Sequence, residues 1–428
     1  MTDETAPAAS CFLPTFLARQ PVFDARGKVW GYELLFRCGP EADRAVMADQ
    51  DQATLSVAAD STFGPEDFFG GNAKILINFG QRSILDEVPY ALPPAQTVVQ
   101  VPEEALLDHA VLQALEALVH AGYSVAVDDF SGRKDCAAHL GIASLLIIDV
   151  LAQGPERVAA LLATARGIDA LALAKKVETM EAYAQARHLG FALFQGYFFK
   201  RPELVAGRKL TSHQHSRFTL LKAVEVKDPD FEALAREIQT DVSISYRLLF
   251  YLNSAAFAFS QPIRSIRQAI VLLGWKQLQS WLRVVILSDL MPQEKHSELF
   301  FTAVQRAKFL ELIARSHEFA EAQPDSMFLL GLFSLLEPML DTPMADIVGN
   351  LPLDGALKDA LLGRPCYHGK WLDLVLAHEK GHWEQLDTLT DELALNRLVV
   401  AVSYYKSVLW ANTFFKHGAA QAEADTGA

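Results

Sequence analysis

The sequence predicts an α/β half followed by an all-α half, on three observations. Eight short runs rich in Val, Ile, Leu and Phe lie between Phe12 and Pro202, separated by helix-like segments. From about Thr211 onward the apolar residues recur at helical spacing and strand-like runs cease. A chain of 428 residues also exceeds what one core commonly fills, so two domains are the prior.

The strands predicted in the first half are Phe16–Phe23, Val29–Phe36, Ile75–Phe79, Thr97–Val101, Ser124–Asp128, Leu145–Asp149, Leu171–Ala174 and Leu193–Phe194. Helical runs such as Glu104–Ala121 and Glu178–Leu189 fall between them. Strand and helix in alternation imply a parallel sheet with helices outside, and eight strands favour closure into a barrel. In the second half, Asp230 caps a helix carrying Phe231, Leu234 and Ile238, and Thr240–Asp241 opens another carrying Ile244 and Leu248. Ser265 and Gln268 have capping-box spacing, with Gly274 as the stop. Thr342-Pro343 opens a further helix in N-cap then N1 order, and Asp391–Phe415 reads as one long amphipathic helix. Glu203–Ser216 is the expected linker, and Gly418–Ala428 a small, polar, disordered tail.

Hydrophobic residues make up 51% of the chain, which excludes wholesale disorder. The net charge of −14 disfavours nucleic acid and anionic membrane surfaces, both of which need Lys/Arg stripes. Cys11, Cys38, Cys136 and Cys366 are far apart and form no CxxC pair, which reads as reduced thiols. The polar, acidic start is not a secretory signal, and no run is long and apolar enough for membrane insertion. The expected location is cytoplasmic.

Two generic motifs carry chemistry. His378 to His382 matches HExxH, in which two histidines one helical turn apart bind zinc. Gly381 weakens that helix by about 1 kcal/mol, and no third ligand follows, so a solvated polar face is the favoured reading. His213 and His215 in the linker read as exposed polar residues. Asp128-Asp129 is sharper: adjacent carboxylates at the end of an apolar strand repel one another and resist desolvation, a conflict commonly relieved by a metal. A loop N-cap pair is the equal alternative.

The first half then resembles the EAL domain, the cyclic-diguanylate phosphodiesterase family. The resemblance rests on Gln20-Pro21, Gly31–Arg37, Ile77-Asn78, Val127–Phe130, Lys176–Thr179 and Gln195–Pro202, in that order. The second half resembles the HDOD domain through Leu221–Asp230, Ser245–Ser254, Ile263–Ile266 and Ala269–Gly274. The implied fold is α/β plus all-α: a modified TIM-like barrel, then a helical domain related to the HD phosphohydrolases. Tight spacing from Glu33 to Asn78 and from Asn78 to Gln100 leaves open an incomplete or compressed barrel. The implied organisation is a flexible 1–11, an EAL domain at 12–205, an HDOD domain at 206–412 and a tail at 413–428.

The resemblance implies two divalent metals at the strand ends, and Glu33, Asn78, Asp128 and Asp129 fall on ligand positions. Gln20, Arg37 and Gln195 fall on nucleotide-contacting positions, and Glu103 and Glu178 also match. Three positions depart: Gln100 and Lys175 stand where the family has glutamates, and Ile147 where it has a lysine. Ser131-Gly-Arg133 replaces a glycine-rich turn. Five carboxylates and a lysine would give net −4; Glu33, Asp128, Asp129 and Lys175 give net −2. Mg²⁺ needs hard oxygen ligands in good geometry, so neither metal nor catalysis is expected, and Lys175 is placed to act as internal counter-ion. In the helical half, Ser334 and Leu335 occupy the positions of the HD metal pair. The expected function is non-catalytic signalling through unidentified protein partners, with weak or absent cyclic-diguanylate binding. The alternatives are a nucleotide sensor without hydrolysis and, third, a residual phosphodiesterase. Tyr404, Tyr405, Trp410, Phe414 and Phe415 either pack into the core, the favoured reading, or anchor a partner.

Overall fold

The computed structural model describes residues 15–38, 73–200, 212–226, 274–290, 297–317, 322–351 and 353–425. Eight strands close a barrel in sequence order: β1 (Thr15–Asp24), β2 (Val29–Cys38), β3 (Lys74–Asn78), β4 (Thr97–Pro102), β5 (Ser124–Asp128), β6 (Leu145–Asp149), β7 (Leu171–Lys175) and β8 (Leu193–Gln195). The barrel is complete, which settles the question left open by the tight spacing. Every strand agrees with its predicted span to within two residues.

The expectation of a parallel sheet fails at β1, which runs antiparallel to both β2 and β8, while the remaining neighbours are parallel. The cause is local. Only Ala25–Lys28 separates the first two strands, and a parallel pair needs a crossover of a dozen residues or more. The chain reverses instead: the Asp24 carboxylate accepts from the Arg26 and Lys28 amides, and Gly27 takes φ +74°.

Among the described residues the barrel carries α1 (Gln81–Leu85), α2 (His109–His120), α3 (Pro155–Gly167) and α4 (Met180–Leu189). The predicted Glu104–Ala121 helix is two pieces, a 3-10 turn at Glu103–Leu107 and then α2, because Asp108 turns extended and caps α2 through the Ala110 and Val111 amides. Inside the barrel, Val22, Leu76, Val98, Ala126, Leu145, Ile147, Leu173 and Leu193 form one apolar cluster. Strand alternation then places Gln20, Glu33, Asn78, Gln100, Asp128, Lys175 and Gln195 in the layer above it, toward the C-terminal ends of the parallel strands.

The second half is helical: α5 (Ser212–Val224), α6 (Trp275–Leu290), α7 (Ser297–Arg315), α8 (Pro324–Phe333), α9 (Leu336–Leu340), α10 (Met344–Ile347), α11 (Gly355–Leu361), α12 (Tyr367–Lys380), α13 (Trp383–Glu392) and α14 (Arg397–Asp425). The helices predicted from Asp230, Thr240 and Ser265 lie outside the described residues. Four boundaries differ from expectation. The predicted linker is already helical from Ser212. Thr342 lies outside α10, a short helix with Pro343 at its N-cap. Asp391–Phe415 is interrupted at Ala394 (φ +50°), and α14 restarts where the Asn396 side chain accepts from the Leu398 and Val399 amides. That helix runs on to Asp425, through the stretch expected to be a disordered tail, whose alanine-rich sequence favours helix.

Candidate functional site

The polar layer at the barrel opening is built from strand ends, one or two side chains per strand. Glu33 is buried and its carboxylate is surrounded by amides: Oε1 accepts from Asn78 Nδ2 at 3.2 Å and Gln100 Nε2 at 3.1 Å, and Oε2 accepts from Gln195 Nε2. Gln195 also donates to Gln20, which donates to the Tyr197 hydroxyl. Across the layer, Lys175 Nζ donates to both oxygens of Asp128, at 3.1 and 3.0 Å, and lies 3.9 Å from Asp129. Burial alone would lower the Lys175 pKa; Glu33, then Asp128 and Asp129, outweigh it and hold the proton on. The counter-ion expected at Lys175 is therefore in place.

Asp129 stands apart from the cluster. It is exposed, takes φ +45°, and has its carboxyl pKa raised by desolvation first and by Asp128 second. Ile147 joins the apolar cluster beneath. Asp149 pairs with Lys176 at 2.6 Å. Burial would raise its pKa, but Lys176 and the Ala152 and Leu151 amides overcome that and lower it. Glu103 is buried and holds the loop after the paired aspartates, accepting from the Ser131 amide and hydroxyl and from the Arg133 amide.

Arg37 does not face an open site. Its Nη2 donates to Asp387 Oδ2 on α13 at 2.5 Å, and its guanidinium lies 5.3 Å from the Phe16 ring centroid. No sequence signal pairs residues 350 positions apart.

The HExxH match is corrected twice. Gly381 takes φ +67° and ends α12, so His378 and His382 do not share a helix, and His382 is the N-cap of α13. Nor is the segment a solvated face. His378 is fully buried, stacked on Tyr404 at 4.0 Å among Phe16, Phe309 and Trp383, and burial lowers its pKa to about 3. Glu379 accepts from Arg306 Nε and Nη2 at 2.7 and 2.8 Å and from Lys200 Nζ at 2.8 Å. The motif was visible in the sequence, but its role as a bridge between the two halves was not.

Ser334 ends α8, donating to the Gly331 carbonyl and accepting from Arg306 Nη1 at 3.0 Å, while Leu335 is buried. Gly331 permits this approach: a Cβ there would sit 2.6 Å from the α7 backbone at Arg306 and Ala307. An arginine thus lies against the position that Ser334 takes in place of the HD metal pair. Tyr404 is core, and Trp410 packs edge-on to Phe328 at 6.0 Å. Among the described residues no three His, Cys, Asp or Glu side chains converge as a metal-binding group, and no helix is long and apolar enough to cross a membrane.

Family models match an EAL domain over residues 71–202 and an HDOD domain over residues 210–336. The chain is 34% identical over 392 residues to the Bacillus subtilis protein named uncharacterized protein YuxH, covering 88% of this chain and 94% of that one. It is 31% identical over 412 residues to the Vibrio cholerae protein named cyclic di-GMP phosphodiesterase CdgJ, covering 95% and 94%. Among solved structures it is similar to a manganese and cyclic-di-GMP complex of Klebsiella pneumoniae BlrP1. That likeness has 21% identity and a TM-score of 0.37, over 45% of this chain and 57% of that one.

Proposed function

The chain belongs to the EAL–HDOD family, and from that premise we propose that it is a cyclic-di-GMP signalling protein whose barrel does not hydrolyse the nucleotide and whose output is contact with other proteins. The observation that carries this reading is the Lys175 ammonium seated on both oxygens of Asp128.

The donor set does not fit the two divalent metals of the family. Both oxygens of Glu33 already accept amide N–H groups, and the Asn78 and Gln100 side chains turn nitrogen toward it. A cation at Asp128 would face an ammonium about 3 Å from the same oxygens, and like charges at that range repel strongly. Hard divalent ions need anionic or carbonyl oxygens free to coordinate. We therefore assign no hydrolytic step to these residues. The helical half supports the same reading, since Ser334 and Leu335 offer no metal ligand pair.

The test is turnover of cyclic di-GMP with Mg²⁺ or Mn²⁺, which the name of the Vibrio relative makes the first assay. The expected result is no linear dinucleotide from the wild type or from Lys175→Glu, because ligands are lost at more than one position. Product above an Asp128→Ala control overturns the reading. Output through protein contact is checked by cross-linking the tagged chain in its native cells, and failure to retain any specific partner counts against it. A second reading, binding without hydrolysis, is favoured by Arg37, whose Nε and Nη1 are buried without hydrogen-bond partners.

A further inference from the structure

Among the described residues the two halves meet through three ion pairs of one polarity. The barrel supplies Arg19, Arg37 and Lys200; the helical half supplies the carboxyl groups of Glu298, Asp387 and Glu379. Two of these contacts are well satisfied. Glu298 takes Arg19 at 3.4 Å and the Tyr32 hydroxyl at 3.0 Å, with the Arg19 guanidinium over the Tyr32 and Phe301 rings. Glu379 takes a fork from Arg306 as well as Lys200.

The third is different. Arg37 meets Asp387 through one nitrogen and one oxygen, and Arg37 Nε, Arg37 Nη1 and Asp387 Oδ1 are all buried without a hydrogen-bond partner. Guanidinium and carboxylate are at their strongest as a two-point fork, and this pair makes one point: Arg37 Nε and Nη1 stay buried and unbonded, and Asp387 Oδ1 has only a 3.9 Å ion pair with Arg397 Nε on α14. It is the weakest built of the three.

Its position gives the pair a consequence. Glu33, Leu35 and Arg37 alternate onto one face of β2, so Arg37 stands above Glu33 at the barrel opening. Leu35 lies under the α12–α13 turn, where a Cβ on Gly381 would be 3.0 Å from its Cδ1. Between them is a cavity of about 210 Å³ bordered by Leu35, Asn78, Lys380 and Trp383. Pockets for drug-sized ligands run from about 300 to 1,000 Å³. This cavity lies below that range.

We propose that the Arg37–Asp387 contact is an autoinhibitory latch: Asp387 holds the guanidinium that an incoming phosphodiester would take, and ligand binding and release of α13 are one equilibrium. Carboxylate and phosphate are interchangeable partners for a guanidinium fork, so the two compete for Arg37. The coupling is reciprocal: whatever loosens the latch tightens the ligand by the same factor. The nucleotide named here rests on the cyclic-di-GMP reading above; the latch itself rests on geometry.

The test uses the full chain and Asp387→Asn, with Asp387→Ala as a second variant. Hydrogen exchange without nucleotide reads the latch directly. Amides of residues 383–392 are expected to exchange at least about tenfold faster in both variants, a shift within the usual range of coupling between sites, and unchanged exchange overturns the proposal. Calorimetry with cyclic di-GMP then reads the competition. Affinity is expected to rise at least about tenfold in Asp387→Asn and to be lost in Arg37→Ala. Binding that depends on Arg37 yet is not tightened by Asp387→Asn also overturns the proposal. Faster exchange with no binding to any of the proteins would instead refute the cyclic-di-GMP reading and leave the latch standing.

Discussion

Replacing Glu379 by Gln should destabilise the helical half by about 3–5 kcal/mol, the range for breaking a buried ion pair from one side. The wild-type carboxylate is 6% exposed and accepts three N–H bonds from two cations, at 2.7, 2.8 and 2.8 Å. A glutamine keeps one acceptor oxygen but turns an NH₂ donor toward a guanidinium or an ammonium, leaving buried positive charge uncompensated. The carboxyl pKa gives a second route to the magnitude. Burial pushes it up, but Arg306 and Lys200 more than reverse this and bring it from 4.5 down to about 2. At ~1.36 kcal/mol per pH unit, that drop corresponds to about 3 kcal/mol. The sign is that of a lowered acid: the stabilisation is complete above pH 4.5 and is lost as pH falls toward about 2. The assay is urea unfolding followed by tryptophan fluorescence, since Trp371, Trp383 and Trp410 all lie in the helical half. Asp86→Asn, which breaks the exposed Arg82–Asp86 pair, should cost under about 1 kcal/mol as a control. A Glu379→Gln loss below about 1 kcal/mol at pH 7, or a difference from wild type that does not shrink below pH 4.5, would refute the reasoning.

Further outcomes are expected. His378→Phe removes two buried ring nitrogens that have no hydrogen-bond partner, so the variant should be at least as stable as wild type at pH 7.5. Because burial lowers the His378 pKa from 6.5 to about 3, wild-type stability declines as pH falls below 6.5, and the gap in favour of Phe should widen by pH 5.5; melting temperatures at the two values check this. Gly381→Ala should cost about 1–2 kcal/mol, because it forces a left-handed backbone on a residue whose Cβ meets Leu35 at 3.0 Å; an unchanged melting temperature would show that the turn can shift. Gln100→Glu should destabilise by about 1–3 kcal/mol in chelator, since it replaces an amide 3.1 Å from Glu33 by a second carboxylate. Mg²⁺ should raise the melting temperature of Gln100→Glu/Lys175→Glu but not that of wild type, and a wild-type Mg²⁺ shift would contradict the metal-free reading.

The barrel was legible because its information is local. Eight apolar runs bounded by polar residues report strands whatever else the chain does, and each lies within two residues of its expected span. The inner polar layer was legible only through the EAL resemblance, which put Asn78, Gln100, Asp128 and Lys175 on site positions; the strand registers then turn them inward by period-two alternation. Even the seating of Lys175 on Asp128 follows from charge once both are known to point inward.

Tertiary structure decided whatever depends on distant residues or on short backbone detours. The antiparallel β1 followed from a hairpin link, and the break before α14 from one left-handed residue at Ala394. The HExxH segment shows the limit most plainly. Its letters describe a zinc helix or a solvated face, yet Glu379 meets Lys200 and Arg306, 179 and 73 positions away, and Arg37 meets Asp387 across 350. Charge that a sequence assigns to solvent is buried here because opposite charge arrives from distant parts of the chain, Lys200 and Arg37 from the barrel and Arg306 from α7. Desolvation makes such a pairing favourable only when both partners are present, and that depends on how the halves dock rather than on either stretch of sequence.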